Sequence, residues 1–257
     1  MEEAKGPGAS PNPPYTRVGA RGIPDAGGPA HQHRGCPLTA TLAIMLSWAF
    51  IRKIYSILTV QILLTVAVCA IVVAVHPIAD YLVTTTSGLA IYIVSLVLPF
   101  VILLPMYFCR QKHPFNFLLL GFFTVSMSFL VGFICAFTSG RVILEAASVT
   151  AALVVSLTLY TFWAARRGHD FKFLGPFLFC SLVALICFGI IRILFPFGKI
   201  TNMIYGILGT IIFSGYIIYD TDNLIKRYSY DDYIWASVSL YLDVINLFLS
   251  LLSAFKA

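Results

Sequence analysis

The sequence predicts an all-α membrane protein, a bundle of seven transmembrane helices. Three observations carry this. Of the 257 residues, 59% are hydrophobic and 11% charged, whereas a soluble domain carries about 25% charged residues and needs them for solvation. Apolar runs recur at roughly the 20 residues that a helix needs to cross hydrocarbon. None of them alternates apolar with polar residues, which excludes a transmembrane barrel.

Taken in order, residues 1–40 read as a disordered cytosolic tail rich in Pro and Gly. Pro7, Pro11, Pro13, Pro14, Pro24 and Pro29 fall here, and the segment cannot bury enough apolar surface to fold alone. Within it, Pro11-Asn12-Pro13-Pro14-Tyr15 resembles a proline-rich docking segment. No signal-peptide pattern is visible, so the first span is expected to serve as the targeting signal. A seven-helix transmembrane domain is expected over 48–257, with spans near 53–75, 87–108, 115–137, 142–163, 173–194, 202–221 and 233–254.

Orientation follows from the loops. Arg52, Lys53, Arg110, Lys112, Arg166, Arg167, Lys172, Lys226 and Arg227 flank one side, nine in all, against Arg141, Arg192, Lys199 and Lys256 on the other. Basic residues mark the cytosolic face, so the N-terminus is expected in the cytosol. Seven crossings put the C-terminus opposite, and a re-entrant seventh segment would return it. The net charge of +6 is scattered between apolar runs. It forms no patch for nucleic acid.

Cys69, Cys135, Cys180 and Cys187 lie inside apolar runs and read as small hydrophobes, while Cys36 and Cys109 fall on the cytosolic side, with Cys109 placed for acylation. Gly121, Ser126, Ser128, Gly132, Gly206, Gly209, Ser214 and Gly215 read as close-packing positions. Glu145 has Arg141 one turn earlier on the same helical face, which predicts an ion pair and, secondarily, a non-cytosolic vestibule role. Arg192 is expected to snorkel to the same boundary. His169-Asp170 reads as solvated loop, not a metal site.

Two aspartates at membrane depth stand apart from all this. Asp220 and Asp243 sit in successive spans, 23 positions apart, with a short loop between them. A carboxylate in hydrocarbon costs roughly 2.5–3.5 kcal/mol on insertion scales. Two in a shared low-dielectric site cannot both ionise cheaply, so they should titrate as one coupled pair. A shared proton would hold spans six and seven together, and its loss would leave two like charges that push them apart. The pair could also meet calcium transiently, as a weak site that suits a permeant ion. Asp222, two residues on, is expected to point to a different face, toward the headgroups.

These residues also carry a family signature. The stretches FIRKIYSILTVQILLT (50–65), LTLYTFWAARRGHDFKFLGPFLF (157–179) and GKITNMIYGILGTIIFSGYIIYDTDNLIKRYSYDDYIWASVSLYLDVINLFLSLL (198–252) resemble the transmembrane Bax inhibitor motif family, in its Lifeguard branch, most like plant members. The resemblance implies seven helices with the last near the centre. It also implies a pH-sensitive calcium leak, suppression of programmed cell death, and residence in the endoplasmic reticulum or another endomembrane. The family's di-aspartyl pH sensor, which closes the pore from the cytosolic side, carries over onto Asp220 in YDTD and Asp243 in LYLD. Some bacterial relatives add an acidic and a basic residue in the second helix. Span two here, SGLAIYIVSLVLPFVILLPMYF, has neither, so gating falls to the pair.

The competing reading is a non-conducting membrane regulator that binds cell-death or stress proteins through its tail, loops or span faces. Aspartates on two successive spans also describe intramembrane aspartyl proteases, but those carry Gly-x-Gly-Asp and a downstream Pro-Ala-Leu. Here Leu240-Tyr241-Leu242 precedes Asp243 and no such motif follows, so no enzyme is expected. No cofactor is expected, and calcium enters only as the permeant ion.

Overall fold

The computed structural model describes residues 37–75, 85–108, 115–195, 198–228 and 232–256. The tail assigned to 1–40 lies outside these as far as residue 36, as do Cys36 and Cys109. Seven helices follow one another: α1 (Pro37–Ala74), α2 (Thr86–Phe108), α3 (Phe115–Ala136), α4 (Gly140–Arg166), α5 (Leu174–Leu194), α6 (Lys199–Lys226) and α7 (Tyr233–Phe255). Each contains a stretch long and apolar enough to cross a membrane. Among the described residues there is no strand.

Local chemistry sets several ends. Pro37 stands at the first position of α1, where its missing N–H costs nothing. α4 stops at Arg166 because Gly168 takes φ 82°, a left-handed conformation open to glycine, and Gly168 and His169 N–H groups cap the carbonyls of Ala165 and Ala164. α2 keeps Pro99 and Pro105 inside its length, as transmembrane helices allow.

Large apolar side chains such as Phe108, Leu144 and Phe177 point outward, the surface a bilayer would cover. α7 is the centre. It packs on α6, α1, α4 and α3, and Tyr241 and Leu247 on it are fully buried. The expectation of a central last helix is borne out.

α7 also runs the height of the bundle. Lys256 at its end donates to the Phe137 carbonyl at 2.9 Å, in the turn between α3 and α4, as a full seventh span requires. α6 and α7 form the most extensive helix pair, and small residues allow it. A Cβ on Gly206 would sit 2.5 Å from the Ala254 backbone nitrogen and 2.6 Å from the Ser250 carbonyl oxygen, and one on Gly209 would strike the Ser250 side chain. Gly132 brings α3 against α1 in the same way, 3.2 Å from the Cys69 backbone. Gly121 has open space beside it and is no packing position, a correction to the sequence reading.

Replacing Gly206 with Leu should therefore separate α6 from α7 and destabilise the bundle by about 1–3 kcal/mol or more. Gly121→Leu should be near neutral. Detergent-denaturation midpoints of the two variants check this contrast.

Candidate functional site

Each aspartate of the pair reaches the site because its helix turns it there. Asp220 lies six residues before the end of α6, and Asp243 lies in the middle of α7, buried. Their side chains are close neighbours across the α6–α7 contact, and Asn223, one turn along α6, stands beside Asp220. One oxygen, Asp243 Oδ2, is buried without any hydrogen-bond partner among the described residues.

The pair lines the wall of a cavity of about 720 Å³. On α7 its lining runs Ser239, Leu242, Asp243, Asn246, Leu249, Ser250, Ser253 and Lys256, a single stripe at three- and four-residue spacing. At 1.5 Å per residue that stripe is about 25 Å long, most of a bilayer's hydrocarbon. Tyr205, Phe213 and Tyr216 of α6 and Arg192 of α5 face it. Among the described residues α2 contributes only Phe100.

The two ends differ in charge. Acid stands at the Asp220 end and base at the Lys256 end. Arg192 stands in the last turn of α5, at the Lys256 end. Its guanidinium lies over the Tyr205 ring at 4.1 Å and 3.4 Å from the Ser253 hydroxyl, inside the cavity mouth. At the acidic end Tyr228, in the loop after α6, stands beside Ser239 of α7. Burial, then the neighbouring Asp220 charge, pushes its phenol up to about 12. It stays neutral across the physiological range.

A family profile described as inhibitor of apoptosis-promoting Bax1 matches residues 47–257. Protein LIFEGUARD 2 of Arabidopsis thaliana is 63% identical over 212 residues, 82% of this chain and 89% of its own. Protein lifeguard 4 of Mus musculus is 34% identical, over 85% and 89% of the two chains. The Golgi anti-apoptotic protein of Vaccinia virus is 36% identical, over 83% and 87%. The chain belongs to the Bax inhibitor (Lifeguard) family.

In this Lifeguard chain the other predicted site residues stand apart from the cavity. Arg141 and Glu145 form the expected ion pair at 3.0 Å, but both are exposed and neither lines the cavity. Asp222 does not face the headgroups. It is 1% exposed, its Oδ1 lies 2.6 Å from the Lys226 ammonium, and its Oδ2 accepts from the Phe171 N–H at 3.4 Å. Lys226 also donates to the His169 carbonyl, and Arg227 reaches Asp170 at 3.6 Å. The loop read as plain solvated sequence is thus tied to the end of α6. Among the described residues no three His, Cys, Asp or Glu side chains gather as a metal site.

Sequence reasoning missed a second polar centre. Gln61 donates to Thr124 at 3.1 Å, Ser128 to Thr65 at 3.0 Å, and Thr65 shares a 2.8 Å bond with the Tyr241 hydroxyl. This chain binds α1, α3 and α7 on the side of α7 that Tyr241 occupies, two residues from Asp243. Its signal was present as polar residues at four-residue spacing, Gln61 with Thr65 and Thr124 with Ser128.

The two ion pairs should respond differently to loss of charge. Asp222→Asn leaves Lys226 without its counter-charge in a mostly buried site and should cost about 3 kcal/mol. Glu145→Gln breaks an exposed pair and should cost under about 1 kcal/mol. Unfolding midpoints of the two variants in one detergent series give the comparison.

Proposed function

We propose that this protein is a pH-gated calcium leak of an endomembrane that restrains programmed cell death, with Asp220 and Asp243 as its gate. The observation that carries the reading is the carboxyl pair in the wall of a long cavity beside the central helix. Family membership supports the cell-death part, since the family is described as inhibiting a death-promoting protein and a viral relative is named for anti-apoptotic action at the Golgi. The loop charges support an N-terminus in the cytosol.

The mechanism follows from charge. In acid, one shared proton lets the two carboxyls bond and keeps α6 against α7. As pH rises and the proton leaves, two like charges face each other in low dielectric, where their repulsion is strong. The helices part at that level and the cavity gains a second opening. Calcium takes six to eight oxygens when tightly held. Asp220, Asp243, Asn246 and Ser239 offer fewer, so an ion would be attracted, partly dehydrated by water and protein oxygens, and released.

Purified protein in calcium-loaded vesicles should leak more as pH is raised from 5 to 8. Asp243→Asn and Asp220→Asn each remove the repulsion and should flatten that curve. An unchanged flux-versus-pH curve in both variants would refute the gate. No leak above empty vesicles at any pH would instead favour a regulator that acts through protein partners. Removing residues 1–35 should leave flux intact, because both gate aspartates and the polar residues facing them lie within 192–256.

A further inference from the structure

On the basic face of the bundle, α1 and α4 splay apart and leave a groove of about 1060 Å³ that is separate from the aspartate cavity. Phe162 stands in it, stacked on Trp48 at 6.4 Å between ring centres and tilted on Tyr55 at 6.3 Å. Arg52 and Arg166 rise at its rim. The Arg166 guanidinium lies 5.4 Å from the Trp48 ring, and among the described residues neither arginine has a carboxylate partner. Two exposed arginines therefore line one groove without a carboxylate partner among the described residues.

The depth of the groove fixes what can fill it. Trp48 and Trp163 are each about half exposed, as tryptophans at a headgroup boundary are. From there the walls run inward to Tyr55 on α1 and Thr158 on α4, seven and five residues, or about 8–10 Å of helix. Arg52, one turn inward of Trp48, and Arg166, at the end of α4, bring positive charge to this level, and the lining beside them at Ile51, Leu159 and Phe162 is apolar. We propose that this groove seats an anionic phospholipid, its phosphate between Arg52 and Arg166 and one acyl chain along Phe162 and Leu159. Planar guanidinium groups suit a phosphate diester, and basic pockets between helices on such a face recognise charged headgroups. The chain's own N-terminal segment is a poorer occupant. Residues 1–36 hold Lys5, Arg17, Arg21 and Arg34 against Glu2, Glu3 and Asp25, a net positive charge that the arginines would repel.

Quenching of tryptophan by brominated lipid reads the site directly. Full-length protein carrying Trp235→Phe, which removes the remaining tryptophan outside the groove, is placed in phosphatidylcholine vesicles. Either phosphatidylserine or phosphatidylcholine bears bromine near the top of one acyl chain, at equal mole fraction. Brominated phosphatidylserine should quench at about tenfold lower mole fraction than brominated phosphatidylcholine. Arg52→Gln with Arg166→Gln should abolish the difference, and Arg52→Lys with Arg166→Lys should keep most of it. Both substituted pairs are exposed, so an unchanged elution profile and helical spectrum show that the fold is intact. Equal quenching by the two lipids in the unsubstituted arginine background would overturn the proposal, as would a preference that survives the glutamine pair. Displacement by water-soluble glycerophosphoserine alone would show a phosphate site and no lipid seat. A preference that appears only after removing residues 1–36 would identify the tail as the occupant.

Discussion

Two carboxyls that share one low-dielectric site constrain everything around them. Asp243 has no exposure to outside solvent worth the name, and Asp220 is its partner across the α6–α7 contact. Such a pair persists only if the helices that carry it come close enough to hydrogen-bond and if each remaining polar atom finds company. Gly206 and Gly209 answer the first need by letting α6 touch the backbone of α7. The second is met only in part: Asn223 stands beside Asp220, while Asp243 Oδ2 keeps no hydrogen-bond partner among the described residues.

The glycine contact and the aspartate contact lie at different heights on the same helix pair. From Gly209 to Asp220 is 11 residues of α6, about 16 Å. Close packing at Gly206 and Gly209 resists separation, since backbone meets backbone there. Repulsion at Asp220 and Asp243 acts at the far end of that lever. Meanwhile the Gln61–Thr124 and Ser128–Thr65–Tyr241 bonds hold α7 to α1 and α3 on its opposite side. α7 is thus fixed from one side and chemically responsive on the other, two residues apart. In the proposed gate the element free to move is α6, with the loop from His169 to Lys172 bound to its end through Asp222, Lys226 and Arg227.

The bundle presents two separate polar features to its surroundings. One is the cavity mouth at Arg192 and Lys256, the other the arginine-rimmed groove at the start of α1. They lie at opposite ends of the helices. A membrane with unlike leaflets would meet each with a different surface, one aqueous and one lipid.

The sequence by itself determined the class and the span count, because length and apolarity are local properties and crossing hydrocarbon demands both. It also located the Asp220–Asp243 hairpin and the Arg141–Glu145 pair, since adjacent spans and i,i+4 spacing are readable without a fold. Which face of each helix meets which neighbour was decided only by the tertiary structure. Asp222 sits two residues from Asp220 and was assigned to headgroups, yet the α4–α5 loop folds over it and supplies the Phe171 N–H. The polar stripe from Ser239 to Lys256 has helical spacing, but nothing local says that a cavity runs beside it. Ser128 was read as a packing position and Thr65 and Thr124 drew no reading, and each of the three hydroxyls also bonds back within its own helix. Their partners across the bundle depend on how far each helix is turned about its axis, and that turn is set by contacts such as Gly132 on α1 and Gly206 on α7, between residues far apart in the chain.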